Sequence, residues 1–255
     1  MYNPLITGCI VTYNNMKCIE QTIDSILEHT DPMKFRLYVV DNHSTDGTPD
    51  LIRAKYPQVC LIEPGDNRGF GAGHNVVLPM LESKYHFVIN PDIILRDDAV
   101  DKICAFMDEN SDIGVVSPKI CFPDGTLQVL GKRNPRLKYL IASRFRDSEK
   151  MNKLLEEYAM LDRDLSSPQD IECTSGCFIG FRTEIFKQLG GFDERYFMYF
   201  EDADISREAK KLTRVVYYPY ATIYHVWERA SKSNKKLLMI HIKSMFKYFI
   251  KWKTI

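Results

Sequence analysis

The sequence predicts an α/β protein with a mostly parallel central sheet and helices on both faces. Three observations carry this. Short apolar runs alternate with stretches of helical spacing through residues 1–117, the rhythm of strands joined by crossover helices. The runs are close to continuous, as in strands buried on both faces. Each run also ends in a polar loop, and in a parallel sheet such loops share one edge.

The elements follow in order. Leu5 to Val11 is the first strand, and Cys18, Ile19, Ile23, Ile26 and Leu27 then recur at helical spacing. Phe35 to Val40 is the second strand. Thr48-Pro49 predicts a helix start, with Thr48 as N-cap and Pro49 in the first helical position. Val59 to Ile62 is the third strand, and Val76, Val77, Met80 and Leu81 suit a helix. The fourth strand, around Phe87 to Ile89, ends at Pro91, because proline cannot continue a central strand. Val100, Ile103, Cys104 and Met107 mark one helix face before a strand at Gly114 to Ser117. Leu127 to about Pro168 is rich in charge and reads as an excursion from the sheet, helical around Met151 to Leu161. The chain returns through Gly176 to Gly180, a helix from Thr183, a carboxylate-rich helix at Asp202 to Lys211, a strand at Val215 to Tyr218 and a long helix from Lys235.

Composition narrows the classes of function. Lys and Arg total 34, as do Asp and Glu. That balance argues against a general nucleic-acid binder, which needs a broad basic surface. The charge is uneven, however: from Glu228 onward, Arg229 and seven lysines face one acid. Seven cysteines without paired spacing argue against a disulfide framework or a structural zinc site. With no signal-like N-terminus and no apolar run of about 18 residues, a cytoplasmic protein is expected.

Four polar loops converge on the predicted edge. They are Thr12-Tyr13-Asn14-Asn15, Asp41 to Gly47, Pro64 to Gly71 (with Asn67, Arg68, Gly69 and Phe70), and Asn90-Pro91-Asp92. Asp92 at a strand end is a candidate ligand for a divalent metal carrying a phosphorylated substrate. Ionised Asp41 accepts hydrogen bonds only, and either takes the imide N–H of a pyrimidine or caps its loop. Arg68 pairs with a phosphate or a loop carboxylate. Gly69-Phe70-Gly71-Ala72-Gly73 lacks the spacing of a dinucleotide fingerprint, so these glycines let the backbone approach a ligand or make a turn.

A second carboxylate cluster follows aromatic residues, at Phe197-Met198-Tyr199-Phe200-Glu201-Asp202-Ala203-Asp204. A partly desolvated carboxylate is a better base. For Asp204 the competing role is a helix N-terminal acid facing the dipole. Tyr224-His225-Val226-Trp227 supplies a lone histidine, by itself more often structural than metal-binding.

The ordered set Val11-Thr12-Tyr13-Asn14, Val40 to Gly47, Asn67 to Gly71, Asn90-Pro91-Asp92 and Phe200 to Asp204 resembles the family 2 inverting glycosyltransferases of the GT-A fold. Within them it is similar to bacterial rhamnosyltransferase-like enzymes of surface-polysaccharide assembly. The resemblance implies that Thr12, Tyr13, Asn14, Asp41, Asn67, Arg68, Gly69 and Phe70 bind the nucleotide. It also implies that Asp92 and His225 hold Mg²⁺ or Mn²⁺, that Asn90, Gly176 and Glu201 lie beside donor sugar and acceptor, and that Asp202, with Glu201, is catalytic. It divides the chain into a GT-A catalytic domain at 1–233 and an amphipathic helix at 234–255. Residues 1–117 are the nucleotide-sugar half of that domain and 118–233 the acceptor and catalytic half. The implied reaction moves a sugar, L-rhamnose from dTDP-rhamnose as the best reading, from a dTDP- or UDP-sugar to a lipid-linked saccharide acceptor. One departure is Asn90, where many relatives carry a second aspartate.

In the last helix Lys236, Lys243, Lys247 and Lys251 fall on one face, while Leu237, Leu238, Ile240, Ile242, Met245, Phe246, Phe249, Ile250 and Trp252 occupy the rest. A basic and aromatic-aliphatic helix of this kind lies on a membrane surface, placing the protein peripherally at the inner face of the cell membrane. Packing on the domain, or on a second subunit in a homodimer, is the alternative. Two other functions stay open. A sugar nucleotidyltransferase would want a glycine- and lysine-rich phosphate loop near the N-terminus. A non-catalytic sugar-nucleotide or lectin-like binding subunit would keep the pocket without the base.

Overall fold

The computed structural model describes residues 4–145, 148–226 and 235–254. The first half builds β1 (Ile6–Thr12), α1 (Ile19–Glu28), β2 (Phe35–Asp41), α2 (Thr48–Lys55), β3 (Cys60–Ile62), α3 (Phe70–Asn75), β4 (Tyr85–Ile89), β5 (Ile93–Ile94) and α4 (Ala99–Glu109). The second half adds β6 (Ile113–Cys121), α5 (Leu137–Arg144), α6 (Glu149–Tyr158), β7 (Gln169–Asp170), β8 (Phe178–Arg182), α7 (Thr183–Gln188), α8 (Glu201–Ala209), β9 (Arg214–His225) and α9 (Lys235–Trp252). The sheet order is β3-β2-β1-β4-β8-β6-β9-β5, with β7 on β9. Strands β3, β2, β1 and β4 are mutually parallel, as the alternation predicts. β8 enters antiparallel between β4 and β6, and β6 and β9 are again parallel.

Both faces are covered, which is why β1 is buried along its whole length. Successive side chains alternate between the two sides. Ile6 and Ile10 of β1 and Leu37 and Val39 of β2 pack with Ile23 of α1, Ile52 of α2 and Ile103 of α4. Cys9, Val11, Tyr38 and Val40 face the other way, toward Phe186 of α7 and Ile205 of α8. A third cluster joins Tyr196, Phe200 and Ala203 to Tyr248 of α9.

Four sequence expectations are revised. Thr48 is the first residue of α2 rather than its cap: Gly47 precedes it at φ +89°, and Asp46 Oδ1 accepts the Thr48 N–H (3.1 Å) and hydroxyl (2.5 Å). The helix expected at Val76 begins instead at Phe70, and Leu78–Met80 forms a 3₁₀ turn after it. The glycines at 71 and 73 sit inside that helix, where an added Cβ would lie 2.8 Å from Phe192 and from Val11. β9 continues past Tyr218 to His225. Its pairing with β6 skips from Tyr218 to Thr222, so Pro219 occupies a bulge and costs no ladder bond.

The last revision concerns α9, which packs on the body. Ser244 Oγ donates to the Met198 carbonyl (2.8 Å), Lys247 donates to the Arg195 carbonyl, and Lys251 is 2.7 Å from Asp204. Lys247 and Lys251 therefore do not belong to a free basic face. Met239, Phe246 and Ile250 point outward instead, Ile250 at 76% exposure. Trp227 and the 233/234 boundary lie outside the described residues.

Candidate active site

The strand-end loops are tied to one another by their own side chains. Asn14, at the left-handed φ of +56° that asparagine tolerates, donates its N–H to Ser44 Oγ (2.8 Å). Its Oδ1 accepts the Thr45 N–H (2.8 Å), which joins the loops after β1 and β2. Thr12 Oγ1 donates to Asn15 Oδ1, which also accepts the Tyr13 N–H, leaving the Tyr13 ring half exposed. Asn42 Nδ2 donates to the Gly69 carbonyl (2.9 Å), and Asn67 Oδ1 accepts the Gly69 N–H (3.1 Å). Arg68 reaches Asp66 at 3.7 Å, a solvent-exposed pair of small energetic weight.

Within this edge Asp41 is buried. Its Oδ2 accepts the Ser44 N–H (2.8 Å), while Oδ1 has no hydrogen-bond partner. A buried carboxylate oxygen left unpaired is costly, and one facing a binding edge is an acceptor waiting for a donor. The loop-capping role read from the sequence thus falls on Oδ2, and Oδ1 is left over.

The metal-binding candidates meet because β5 pairs with β9, with Ile93 opposite His225. His225 Nε2 lies 3.3 Å from Asp92 Oδ1. The contact is within ion-pair range but misses hydrogen-bond geometry, so Asp92 Oδ1 counts as a buried acceptor without a partner. Burial disfavours the charged imidazole, yet Asp92 and the Cys177 thiol outweigh it and raise the pKa to about 10. On the other ring edge, Nδ1 is 3.1 Å from Gln128 Oε1. Gln128 Nε2 donates to the His225 carbonyl (2.7 Å), which fixes the amide's orientation. Its oxygen therefore faces Nδ1, and Nδ1 carries the proton. If a cation displaced the Nε2 proton, Nε2 and Asp92 Oδ1 could be its ligands, and a hard divalent cation held by one or two protein groups plus substrate phosphates would fit them. Gln128 had no signal in the sequence, since its partner lies 97 residues away.

Asp202 begins α8. Its Oδ2 accepts the Gly176 N–H (3.0 Å) and its Oδ1 the Ala203 N–H (2.8 Å). Burial raises its pKa, opposed by those two backbone donors. Glu201 is buried with Oε2 unpartnered, and burial, then the Asp202 charge, push its pKa well up. Two aromatic residues before them stand in the left-handed region, Tyr199 at φ +71° and Phe200 at φ +68°. Gly176 links Asp202 to the Asp92–His225 pair. Its neighbour Cys177 accepts the Asn90 N–H (2.8 Å) at the end of β4 and lends its thiol to His225. The ring edge of Phe70 flanks Gly176, and Phe70 donates its N–H to the Phe197 carbonyl (2.8 Å). Asp204 is no simple dipole acid: it is buried against Lys251 and accepts the Trp252 indole N–H (2.7 Å).

The family model for glycosyl transferase family 2 matches residues 8–190, which include the four strand-end loops. The chain belongs to this family. It is 28% identical over 231 residues to the N-acetylglucosaminyl-diphospho-decaprenol L-rhamnosyltransferase of Mycobacterium tuberculosis, covering 84% of this chain and 74% of that one. It is 25% identical over 265 residues to the rhamnosyltransferase WbbL of Escherichia coli, covering 94% and 90%. In structure it is similar to the mannosyltransferase PcManGT of Pyrobaculum calidifontis, solved in complex with GDP-Man and Mn²⁺. The TM-score is 0.66 at 19% identity, over 98% of this chain and 64% of that one, which shows the shared GT-A fold. The glycosyltransferase thus joins that fold to rhamnosyltransferase relatives and to sugar transfer in polysaccharide synthesis.

Proposed function

We propose that this glycosyltransferase moves a sugar, L-rhamnose from dTDP-rhamnose, to a hydroxyl of a lipid-linked saccharide with inversion at the sugar carbon. The observation that carries the reading is the short span Gly176-Cys177. It joins the desolvated carboxylate of Asp202 to the Asp92–His225 pair through one backbone N–H on one side and one thiol and carbonyl on the other. The base therefore stands beside the place where a nucleoside diphosphate would be held. Asp41 Oδ1 supplies the acceptor a pyrimidine imide needs.

The residues divide the chemistry. An acceptor hydroxyl is too weak an acid to attack unaided, so Asp202 takes its proton as the new bond to the anomeric carbon forms. Such a base contributes about 10²–10⁴ in rate, or roughly 3–5 kcal/mol of barrier. Asp92 and His225 would hold Mg²⁺ or Mn²⁺, which as a Lewis acid neutralises charge on the departing diphosphate. Burial and the Asp202 charge favour the neutral form of Glu201, which in that form can donate a hydrogen bond to a sugar hydroxyl. A base opposite the leaving group gives a single displacement, and no covalent nucleophile is needed. The relatives' names support rhamnose and a diphospholipid acceptor.

No helix among the described residues is long and apolar enough to cross a membrane. The outward stripe of Met239, Phe246 and Ile250 beside exposed Lys243 supports docking on an anionic membrane surface from the cytoplasmic side. Asp202→Asn tests the chemistry. It should bind dTDP- or UDP-sugar with Mn²⁺ as wild type does, measured by thermal shift, while transfer falls by about 10²–10⁴. Full transfer by that variant would remove Asp202 from the mechanism.

A further inference from the structure

One buried cation is not used by the reaction as described. Lys132 is 8% exposed. Its backbone is pinned on both sides: the N–H donates to the Tyr158 carbonyl (2.9 Å), and the carbonyl accepts the Glu172 and Cys173 N–H groups at 2.8 and 3.0 Å. Gly131 before it is packed so closely under the Tyr158 ring that a Cβ would fall 2.1 Å from a ring atom. The lysine is therefore placed by the fold rather than trailing from a surface loop.

Its ammonium lies 4.7 Å from the centre of the Tyr217 ring. Among the described residues, no carboxylate comes within ion-pair distance of it. Glu172, whose backbone N–H bonds the Lys132 carbonyl, turns its carboxylate to the Asn134 N–H (2.9 Å) instead. Burial pulls the ammonium's pKa down to about 8, so the group is still mostly charged at neutral pH. A buried charge without a counter-ion destabilises a fold, and proteins retain such features where function needs them.

The ammonium shares a narrow pocket with Ser117, Gln128, Ser175 and Tyr217, with space for about one oxygen-sized atom. Two of its walls belong to the site already described. Ser175 precedes Gly176, whose N–H holds Asp202, and Gln128 orients His225. Serine hydroxyls beside an unpaired ammonium make a site for an oxyanion.

We propose that Lys132 is the cation of an oxyanion subsite that receives one phosphate or carboxylate oxygen of a substrate between the base and the metal-holding pair. The assignment rests on the glycosyl-transfer reading. Two substrates can bring that oxygen: the nucleotide, through its diphosphate, and the acceptor, through a phosphate or an acidic sugar.

Lys132→Met keeps the unbranched stem and removes the charge, and Lys132→Gln keeps a polar end. Both are compared with wild type by thermal unfolding and by calorimetric titration with two probes. UDP with Mn²⁺ reports the donor source, and inorganic phosphate added to UDP-saturated protein reports the acceptor source. At least one variant should melt no lower than wild type. That variant should lose roughly tenfold or more in affinity for one probe, the weight of one charge-assisted hydrogen bond. Equal affinities for both probes, absence of phosphate binding to either protein included, would overturn the subsite. So would a lowered melting temperature in both variants, which would make Lys132 structural. Failure of the glycosyl-transfer reading looks different, because wild type itself would then bind no nucleotide.

Discussion

Replacing Gly69 by alanine tests whether the loop before α3 and the loop before α8 are built as one unit. Gly69 stands at φ +86° with extended ψ, a conformation nearly confined to glycine. Forcing alanine there costs about 1–3 kcal/mol. The added Cβ would also lie 2.2 Å from the Phe197 carbonyl oxygen, a backbone atom that cannot rotate away. The two loops must separate, losing the Phe70 N–H to Phe197 bond, worth about 1 kcal/mol. The sum is roughly 2–4 kcal/mol. With m near 2 kcal/mol/M, the urea midpoint should drop by roughly 1–2 M. Gly65 supplies the control: it stands at φ +88°, but nothing lies within 4 Å of its Cβ position. Gly65→Ala should therefore cost only the left-handed backbone term, about 1–2 kcal/mol. Separation also frees Gly69 from Asn42 and Asn67, so calorimetric affinity for dTDP or UDP should fall roughly tenfold or more, the weight of one or two polar contacts. If Gly69→Ala costs no more than Gly65→Ala and nucleotide affinity is unchanged, the two loops are not one unit.

Two further outcomes follow from other parts of the molecule. Glu201 has a folded pKa raised by burial and by Asp202, so between its unfolded value, about 4.3, and that raised value the native state binds more protons. Stability from this group is present at low pH and is lost as pH rises. Glu201→Gln lacks the penalty, so its melting temperature minus that of wild type should rise from pH 5 to pH 8; a difference that falls over that range would contradict the assignment. Phe246→Ser with Ile250→Ser, both on the outward face of α9, should abolish cosedimentation with anionic vesicles. The cost in stability should stay within about 0.5 kcal/mol for each surface change. Undiminished vesicle binding would place any membrane contact elsewhere.

The parts of the site legible in the sequence are those carried by local pattern. An apolar run followed by polar residues marks a strand end, and the parallel half of the sheet then forces Thr12, Asp41, Asn67 and Asp92 to one edge. What is illegible depends on partners distant in the chain. The start of α3 at Phe70 is hidden because glycines read as breakers; here they are required by tight packing on Phe192 and Val11. Pro219 hides the far end of β9, since only the register shift opposite Pro118 makes a proline tolerable there. Gln128 and Lys132 lie in a charged stretch without periodicity, and their meaning comes from His225 and Tyr217 across the sheet. On α9, counting faces groups four lysines together. It cannot reveal that Asp204, Asp193 and Glu208 draw Lys251 inward.

That inward face of α9 bears on how Asp202 is held. Tyr199 and Phe200 each occupy the left-handed region, at about 1–2 kcal/mol apiece for residues with a side chain. They persist because α9 encloses them: the Phe200 ring packs 5.5 Å from Tyr248 and 5.2 Å from His241, and Tyr199 packs 5.1 Å from the same histidine. Fully burying one large side chain contributes about 1.5–3 kcal/mol. Phe200 and Tyr248 together therefore offset a strain of this size. The turn that results starts α8 abruptly, so that Glu201 and Asp202 occupy its first residues and the Gly176 N–H can reach the carboxylate. Asp204, one turn further, is fastened by Lys251 and Trp252 near the far end of α9. One helix thus clamps the strained turn before the base and the first turn that follows it. Its outer side carries Met239, Phe246 and Ile250. On the proposed reading, a surface that docked on that side would load the same element that holds Asp202 in place, which would join acceptor location to catalytic geometry through a single helix.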